Sequence, residues 1–331
     1  MSAAAPHAAA RAALREVARW KPAEYAFWAA TAASWFLLPG QHLLLNEIAI
    51  FALFALSLDL VLGFGGIVSL GHAAYFGFGG YAAGMLAQAG YTDPLLGLAA
   101  AALASAALGF VTSFLVLRGS DLTRIMVTLS VSLVLFELAN RLTWLTGGAD
   151  GLQGITIGPL LGRFDFDLAG HVAYAYSLVV LFVLFLAARR IVHSPFGWTV
   201  RAVRGNALRA AAIGLAVDLR LVGIYTMAAL YAGIAGALLA QSTQFVSLDM
   251  LAFHRSADLL LMLVIGGVGY LYGGMIGALV FKAMQNWVAD ITPEYWQFWI
   301  GLLLVLLVVI GRERIFAGSL VLARRAFGRR G

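Results

Sequence analysis

Residues 258–288 read DLLLMLVIGGVGYLYGGMIGALVFKAMQNWV, and this stretch decides how the chain can cross a membrane. It is largely apolar but too long for one ordinary transmembrane helix, which needs about 20 residues. Its middle is interrupted by glycines: Gly266, Gly267, Gly269, Gly273 and Gly274. Because irregular backbone at membrane depth must be buried in protein or line a cavity, two short helices that meet at these glycines fit better than one helix.

The composition around this stretch is that of an integral membrane protein. The chain has 331 residues, of which 62% are hydrophobic and 11% are charged, and its mean hydropathy is +0.90. A soluble domain carries about 25% charged residues, so a water-soluble architecture is excluded. Nine apolar segments are expected to be membrane helices: about 25–38, 43–62, 70–89, 95–117, 122–144, 172–188, 219–241, 258–288 and 296–311. The predicted fold class is all-α, a polytopic transmembrane helical bundle of about 8–10 spans with glycine-broken or re-entrant helices.

Basic residues predict the orientation of the chain. They concentrate before the first span, at Arg118 and Arg124, within 189–220, and after the last span. Because Lys and Arg favour cytoplasmic loops, both termini are expected in the cytoplasm, which requires an even number of crossings. Nine segments give an odd number, and counting 258–288 as two crossings or a re-entrant pair restores the parity. These loops explain the net charge of +6, so we expect no nucleic-acid partner.

The same pattern divides the chain into three regions. Residues 1–24 are predicted to be a cytoplasmic basic amphipathic N-terminal segment that lies on anionic lipid. Residues 25–311 form the predicted transmembrane domain, and residues 312–331 form a basic cytoplasmic tail. Within the transmembrane domain, the longest cytoplasmic connection is the loop at about 189–218.

This long loop contains a predicted helix over residues 198–213. Pro195 and Gly197 mark a turn before the helix, and Gly214 is placed as its stop. Apolar and arginine side chains mix on different faces of the helix, so it is amphipathic. Such a helix either rests on lipid or docks into a groove of a soluble partner, and the residues alone leave both interpretations open.

Few charged residues lie inside the apolar segments. Asp59 is a lone intramembrane acid, which is either functional or held by hydrogen bonds near the inner end of its span. A proton relay would need further intramembrane acids or histidines, and His72 is the one candidate nearby, so we expect Asp59 to be structural or gating and not a proton carrier. Lys282 is predicted to extend along its alkyl chain to a membrane interface. Glu137 and Arg141 are four residues apart and are predicted to pair on one helix face.

Enzyme motifs are absent from the sequence. It has no Gly-x-x-x-x-Gly-Lys loop, no His-Glu-x-x-His zinc motif and no Gly-x-Ser-x-Gly elbow. It also has no cysteine, which excludes disulfides and thiolate chemistry. We therefore expect a non-catalytic chain that binds no cofactor and no metal.

Three stretches carry a resemblance to a known family. They are residues 56–77, with LSLDLVLG and VSLGHAAYFG, residues 196–215, with FG, RAVR and AAAIGL, and residues 266–278, with GGVG and GGMIGA. Residues 146–152, TGGADGL, add a weaker match. Their order and spacing resemble permease subunits of bacterial ATP-binding-cassette (ABC) importers for branched-chain amino acids, the LivM/LivH family, over about residues 40–312.

The resemblance implies an assembly and a location. Such a permease pairs with a second homologous permease, two cytoplasmic ATPase subunits use the ATP, and a periplasmic binding protein delivers the substrate. The chain would then lie in the bacterial cytoplasmic (inner) membrane. Permeases similar to this type also carry urea, short amides or other amino acids. The alternatives outside the family are a proton-coupled secondary carrier and a membrane enzyme.

The resemblance also implies two sets of site residues. The loop helix becomes a coupling helix that docks on an ATPase, with these residues: Phe196, Gly197, Arg201, Arg204, Asn206, Arg209, Ala211 and Gly214. The expected translocation-pathway residues are Asp59, Ser69, Gly71, His72, Gly266, Gly267 and Gly269. The family usually has acidic residues at the positions of Gly205 and Ala207, so contact with an ATPase would lean on the arginines here.

Overall fold

The structure, a computed structural model, describes residues 19–167, 169–291, 298, 299, 301 and 302. Within these residues the chain forms twelve α-helices and no named strand, which confirms the all-α class. The helices are α1 (Pro22–Leu37), α2 (His42–Leu58), α3 (Ala73–Gln88), α4 (Pro94–Val116), α5 (Asp121–Arg141), α6 (Thr143–Thr146), α7 (His171–Val192), α8 (Pro195–Gly205), α9 (Ala207–Ala212), α10 (Val217–Thr243), α11 (Phe253–Gly266) and α12 (Leu271–Ile291). A π-helical turn, Asp59–Phe64, continues α2.

Five helices of the described chain are long and apolar enough to cross a membrane: α2 with its π-turn, α4, α5, α7 and α10. The bent pair α11–α12 makes a sixth if it is counted as one span. Helices α1 and α3 have 16 residues each, which corresponds to about 24 Å of helix. The predicted segment 296–311 lies almost entirely outside the described residues, so the total of about 8–10 spans stays a prediction.

The break predicted inside 258–288 is confirmed. Helices α11 and α12 meet at an angle of 113° across a turn formed by residues 267–270, which we call the apex. Gly267 has φ +106° and Gly269 has φ +82°, conformations that side-chain-bearing residues rarely adopt. Gly266 packs on the backbone of Gly273, where a Cβ atom would overlap the carbonyl oxygen. Glycine therefore serves both the turn and the close approach of the two helices.

Helices α2 and α10 form the centre of the bundle. In the apolar window of each helix, 83% of α2 and 78% of α10 are buried, against 17% of α5. Small residues allow α10 to lie against α3 backbone to backbone, since a Cβ at Gly79 would overlap Gly233. A Cβ at Gly236 would likewise overlap the carbonyl oxygen of Phe76. This glycine-lined crossing fixes the distance between the two helices.

The long loop differs from its prediction. Instead of one helix over 198–213, the structure has α8 and α9, and α8 already begins at Pro195. Ser194 caps α8 by accepting from the Gly197 backbone N–H at 3.3 Å. Asn206 separates the two helices because its backbone is extended and its side chain accepts from the Arg209 N–H at 2.8 Å. The predicted stop at Gly214 is confirmed, with φ +86°.

The predicted terminal regions are described only in part. Residues 1–18 and 303–331, which include most of the predicted N-terminal segment and the whole predicted tail, lie outside the described residues. At the described end, Glu24 of α1 pairs with Arg189 of α7 at 2.7 Å. Arg189 also donates to the Arg19 backbone oxygen at 3.0 Å and lies 4.7 Å from the ring centre of Trp20. The start of α1 is therefore fastened to the end of α7.

Lys282 does not extend to an interface, so that prediction was wrong. Its side chain is 4% exposed, and its Nζ lies 2.6 Å from the Glu47 Oε1 of α2. The same ammonium lies 4.0 Å from the ring centre of Phe51. An ion partner that comes from another helix cannot be seen in the local sequence. The predicted pair of Glu137 and Arg141 is confirmed, at 2.5 Å.

Changing Glu47→Gln should destabilise the chain by about 2 kcal/mol, because it leaves the buried Lys282 charge uncompensated. This cost is smaller than the about 3–5 kcal/mol typical of breaking a fully buried pair. The reason is that the Glu47 side chain is 41% exposed, so solvent partly screens the pair. A double variant, Glu47→Gln with Lys282→Met, should recover most of the loss, since neither charge remains. Thermal unfolding in detergent measures both, and Glu137→Gln, on an exposed pair, is the matched control. If the double variant melts at the same temperature as Glu47→Gln, the uncompensated Lys282 charge is not the cause of the destabilisation.

Candidate functional site

The site is built where α2 ends. The helix widens into the π-turn Asp59–Phe64, a feature often found at functional positions. In this turn the Ile67 N–H bonds to the Val61 oxygen at 3.1 Å, a displacement from regular α-helical pairing that leaves the Gly63 carbonyl available to another donor. The end of α2 thus presents a backbone acceptor beside a buried carboxylate.

Asp59 connects this turn to the apex. Asp59 is fully buried, and its Oδ1 accepts a hydrogen bond from the Gly269 backbone N–H at 2.7 Å. Gly63 must lack a side chain here, because a Cβ would overlap Asp59 Oδ1 and lie 2.7 Å from the Gly269 nitrogen. The lone acid therefore joins the π-turn at the end of α2 to the apex.

Arg204 connects the same place to the long loop. From α8, its Nη1 donates a hydrogen bond to the Gly63 carbonyl oxygen. Its alkyl chain covers Gly66, where a Cβ would lie 2.8 Å from Arg204 Cγ. A Cβ at Gly269 would lie 3.4 Å from both Arg204 Nη1 and Gly63 O. We call Asp59, Gly63, Arg204 and Gly269 the junction.

Arg201 reinforces the contact between α8 and the end of α2. Its guanidinium lies 4.9 Å from the ring centre of Phe64 and 4.8 Å from that of Trp198, within the range of cation–π attraction. Partial burial, together with the neighbouring Arg204 charge, lowers the pKa of Arg201. Both arginines therefore face the chain's own transmembrane part. Arg209 is exposed, and its side chain has no partner among the described residues.

The side of the long loop that faces away from the transmembrane helices is exposed and apolar. Leu208 is 86% exposed and Ile213 is 72% exposed. Small exposed residues lie beside them: Ala207, Ala211 and Ala212. We call these five residues the outer face.

The inner side of the same two helices carries the buried residues Val200, Val203 and Ala210. Phe196 packs over Gly223 of α10, where a Cβ would lie 3.2 Å from its ring. Gly197 fits against the carbonyl oxygens at the end of α7, which leave no room for a Cβ. The helix pair is amphipathic as predicted, and its inner side is held by α2, α7 and α10.

Two further predicted pathway residues, His72 and Gly71, pack against neighbouring helices. His72 is buried, and its Nε2 lies 2.9 Å from the Ser57 hydroxyl, while its ring stacks on Phe54 at 5.9 Å. The described residues show no hydrogen bond between His72 and Asp59. A Cβ at Gly71 would overlap the Thr128 backbone oxygen of α5. This region is closely packed against neighbouring helices.

Sequence reasoning missed how these residues meet. Asp59 and Gly269 were singled out among the expected pathway residues and Arg204 in the coupling helix, but no contact among the three was predicted. Asp59 and Gly269 are 210 positions apart in the chain, and the donor is a backbone N–H, which no residue type reveals. The Gly63 carbonyl is likewise a backbone group, exposed by the π-turn. A lone acid inside an apolar span was the one signal for this site.

Comparisons with known proteins identify the family to which the chain is similar. The model of the family described as branched-chain amino acid transport system / permease component matches residues 42–308. The LivM proteins of the high-affinity branched-chain amino acid transport systems of Salmonella typhimurium and Escherichia coli are each 26% identical over 281 residues, covering 78% of this chain and 66% of theirs. The L-arabinose ABC transporter permease protein AraH of Azospirillum brasilense is 28% identical over 284 residues, covering 82% of this chain and 77% of its own. No solved structure matches.

The family match begins at the first residue of α2. It extends over the junction, the long loop and the bent pair, so every site residue described above lies inside it. The chain therefore belongs to the family of branched-chain amino acid transport system permease components.

Proposed function

We propose that the chain is the transmembrane permease subunit of an ATP-driven importer for branched-chain amino acids. It forms the translocation pathway with a second homologous permease in the bacterial inner membrane, with both termini in the cytoplasm. Two cytoplasmic ATPase subunits supply the energy, and a periplasmic binding protein delivers the substrate. The chain itself carries out no chemistry and binds no cofactor.

The observation that carries this proposal is the two-sided long loop. Its inner side is fastened to the spans by Arg201, Arg204 and Phe196. On its outer face, Leu208 and Ile213 are largely exposed. Exposed leucine and isoleucine beside an arginine suit a groove of a soluble protein better than bulk water, because burying them removes apolar area from solvent. We therefore assign the outer face to an ATPase.

The lipid interpretation of this loop is less favoured. A helix that rests on lipid orients its whole apolar side to the membrane. Here the buried side already contacts protein, and the exposed apolar side is the opposite one. The long loop thus presents an apolar surface that faces away from the bundle, where a cytoplasmic subunit can bind it.

Branched-chain amino acids are the substrate we propose because the family description and both LivM relatives carry that name. The relative named for L-arabinose marks the alternative that an experiment must separate. A binding protein usually selects the ligand of such an importer, so the assembled system has to be tested.

Uptake competition tests the substrate. The chain, its paired permease, the two ATPases and the binding protein are assembled in proteoliposomes, and uptake of radiolabelled leucine is measured. Excess valine or isoleucine should suppress the uptake at least about tenfold at saturating competitor, whereas L-arabinose, urea and acetamide should not. Suppression by L-arabinose or urea with no effect of valine would reassign the substrate while keeping the permease role.

A further inference from the structure

We propose that Asp59 and Arg204 are positioning residues that transmit movement of α8 to the apex of α11–α12. This inference rests on the proposed function, because it assumes that partner subunits move the long loop. It goes beyond it by assigning the physical connection between the cytoplasmic surface and the bent pair. Two hydrogen bonds make that connection: Arg204 donates to the Gly63 carbonyl, and the Gly269 N–H donates to the Asp59 carboxylate.

The first step runs from the loop to the end of α2. Arg204 Nη1 donates to the Gly63 carbonyl, and the alkyl part of the side chain covers Gly66. Arg201 on Phe64 adds a second contact to the same turn, at 4.9 Å. A displacement of α8 therefore acts directly on the π-turn and not only on the long helix behind it.

The second step runs from the π-turn to the apex. Asp59 belongs to that turn, and its Oδ1 holds the Gly269 N–H at 2.7 Å. A Cβ at Gly63 would overlap this oxygen, so the turn and the apex are in contact without intervening side chains. Contacts between packed backbones transmit a displacement because they have little free volume to absorb it.

The junction can adopt a second arrangement. Asp59 Oδ2 is buried and has no hydrogen-bond partner among the described residues. The Arg204 guanidinium donates to the adjacent Gly63 carbonyl, and its charge lies near the Asp59 carboxylate, although the described residues show no salt bridge between the two side chains. A small shift of α8 would exchange the carbonyl for the free carboxylate oxygen as the acceptor. Two discrete partners for one guanidinium are what a two-state element requires.

Tyr270 offers a reporter of the apex. It is 70% exposed, directly follows Gly269, and the chain contains no cysteine. In the Tyr270→Cys chain, assembled with its ATPases in proteoliposomes, the rate of labelling by a water-soluble maleimide is measured with and without ATP plus vanadate. We expect nucleotide trapping to change the rate by about fivefold or more.

Adding Arg204→Met, which removes the donor, or Asp59→Leu to the reporter should reduce this response to less than about twofold, with the ATPases still bound and hydrolysing ATP. Arg204→Lys keeps a donor and Asp59→Asn keeps an acceptor, so both should retain more of the response. Arg190→Met, on an exposed arginine at the end of α7, is the matched control and should respond as the parent does. Because the Arg204 side chain is exposed, its variant should be recovered even if Asp59→Leu is not.

An unchanged response in Arg204→Met would overturn the proposal. Equal losses in Arg204→Met and Arg204→Lys would overturn it too, because the hydrogen bond would then not be the carrier. A different failure concerns the proposed function: if the parent reporter brings no ATPases with it, the importer assignment fails and this inference fails with it.

Discussion

Replacing Gly236 by alanine should abolish the stably folded chain. A Cβ at this position of α10 would overlap the Phe76 carbonyl oxygen and lie 3.1 Å from the Gly80 nitrogen of α3. Both obstacles are backbone, so no side-chain rotation relieves them. Overpacking of a well-packed interior costs about 1–3 kcal/mol, and more where the backbone itself must move. The crossing of α3 and α10 lies at the centre of the bundle, so few neighbours can adjust.

Size-exclusion chromatography of the detergent-solubilised protein, followed by thermal unfolding, measures this effect. Gly236→Ala should give aggregate or a large drop in melting temperature. Gly205→Ala is the matched control, because a Cβ there meets nothing within 4 Å. A Gly236→Ala chain that is monodisperse and melts with the parent would show that α3 and α10 do not approach as described.

Leu208→Asp together with Ile213→Asp should separate the chain from the proposed ATPase subunits. These residues are 86% and 72% exposed, so the change does not disturb the chain's own interior. At an interface, the loss of apolar anchors of this kind weakens association by about 30-fold or more. Placing two carboxylates in a groove that excludes water adds their desolvation cost. Uptake should be lost along with association.

Co-purification of the ATPases with the affinity-tagged chain measures this result. Leu161→Asp is the matched control, since Leu161 is 70% exposed in the connection between α6 and α7, outside the long loop. Its φ of +54° is also one that aspartate tolerates better than leucine. If the double variant keeps its ATPases at the parent level, the outer face is not the docking surface.

Much of the architecture follows from patterns in the sequence. Length and glycine content predict the break inside 258–288, because a stretch that is too long for one span must bend where side chains are missing. The amphipathic loop is predicted in place, with Gly214 as its end. Its division into two helices is not predicted. The Asn206 side chain caps the second helix and thereby competes with continuation of the first, a local effect that the hydrophobic pattern does not reveal.

The partners of the charged residues could not be predicted. Lys282 pairs with Glu47, which is 235 positions away in the sequence, and Asp59 accepts a hydrogen bond from Gly269, which is 210 positions away. Periodicity within one helix indicates which face is apolar, but it does not say which helix will lie opposite. At the junction the partners are backbone groups, so even a correct list of neighbouring helices would not have identified them.

The central claim is that ATP hydrolysis by partner subunits drives transport through this chain. Proteoliposomes that hold the complete assembly, with binding protein on the outside and ATP on the ATPase side, test it in one measurement of radiolabelled leucine uptake. Uptake should require ATP and should continue when a protonophore removes the proton gradient. Uptake that proceeds without ATP and stops with the protonophore would contradict it and favour a proton-coupled carrier.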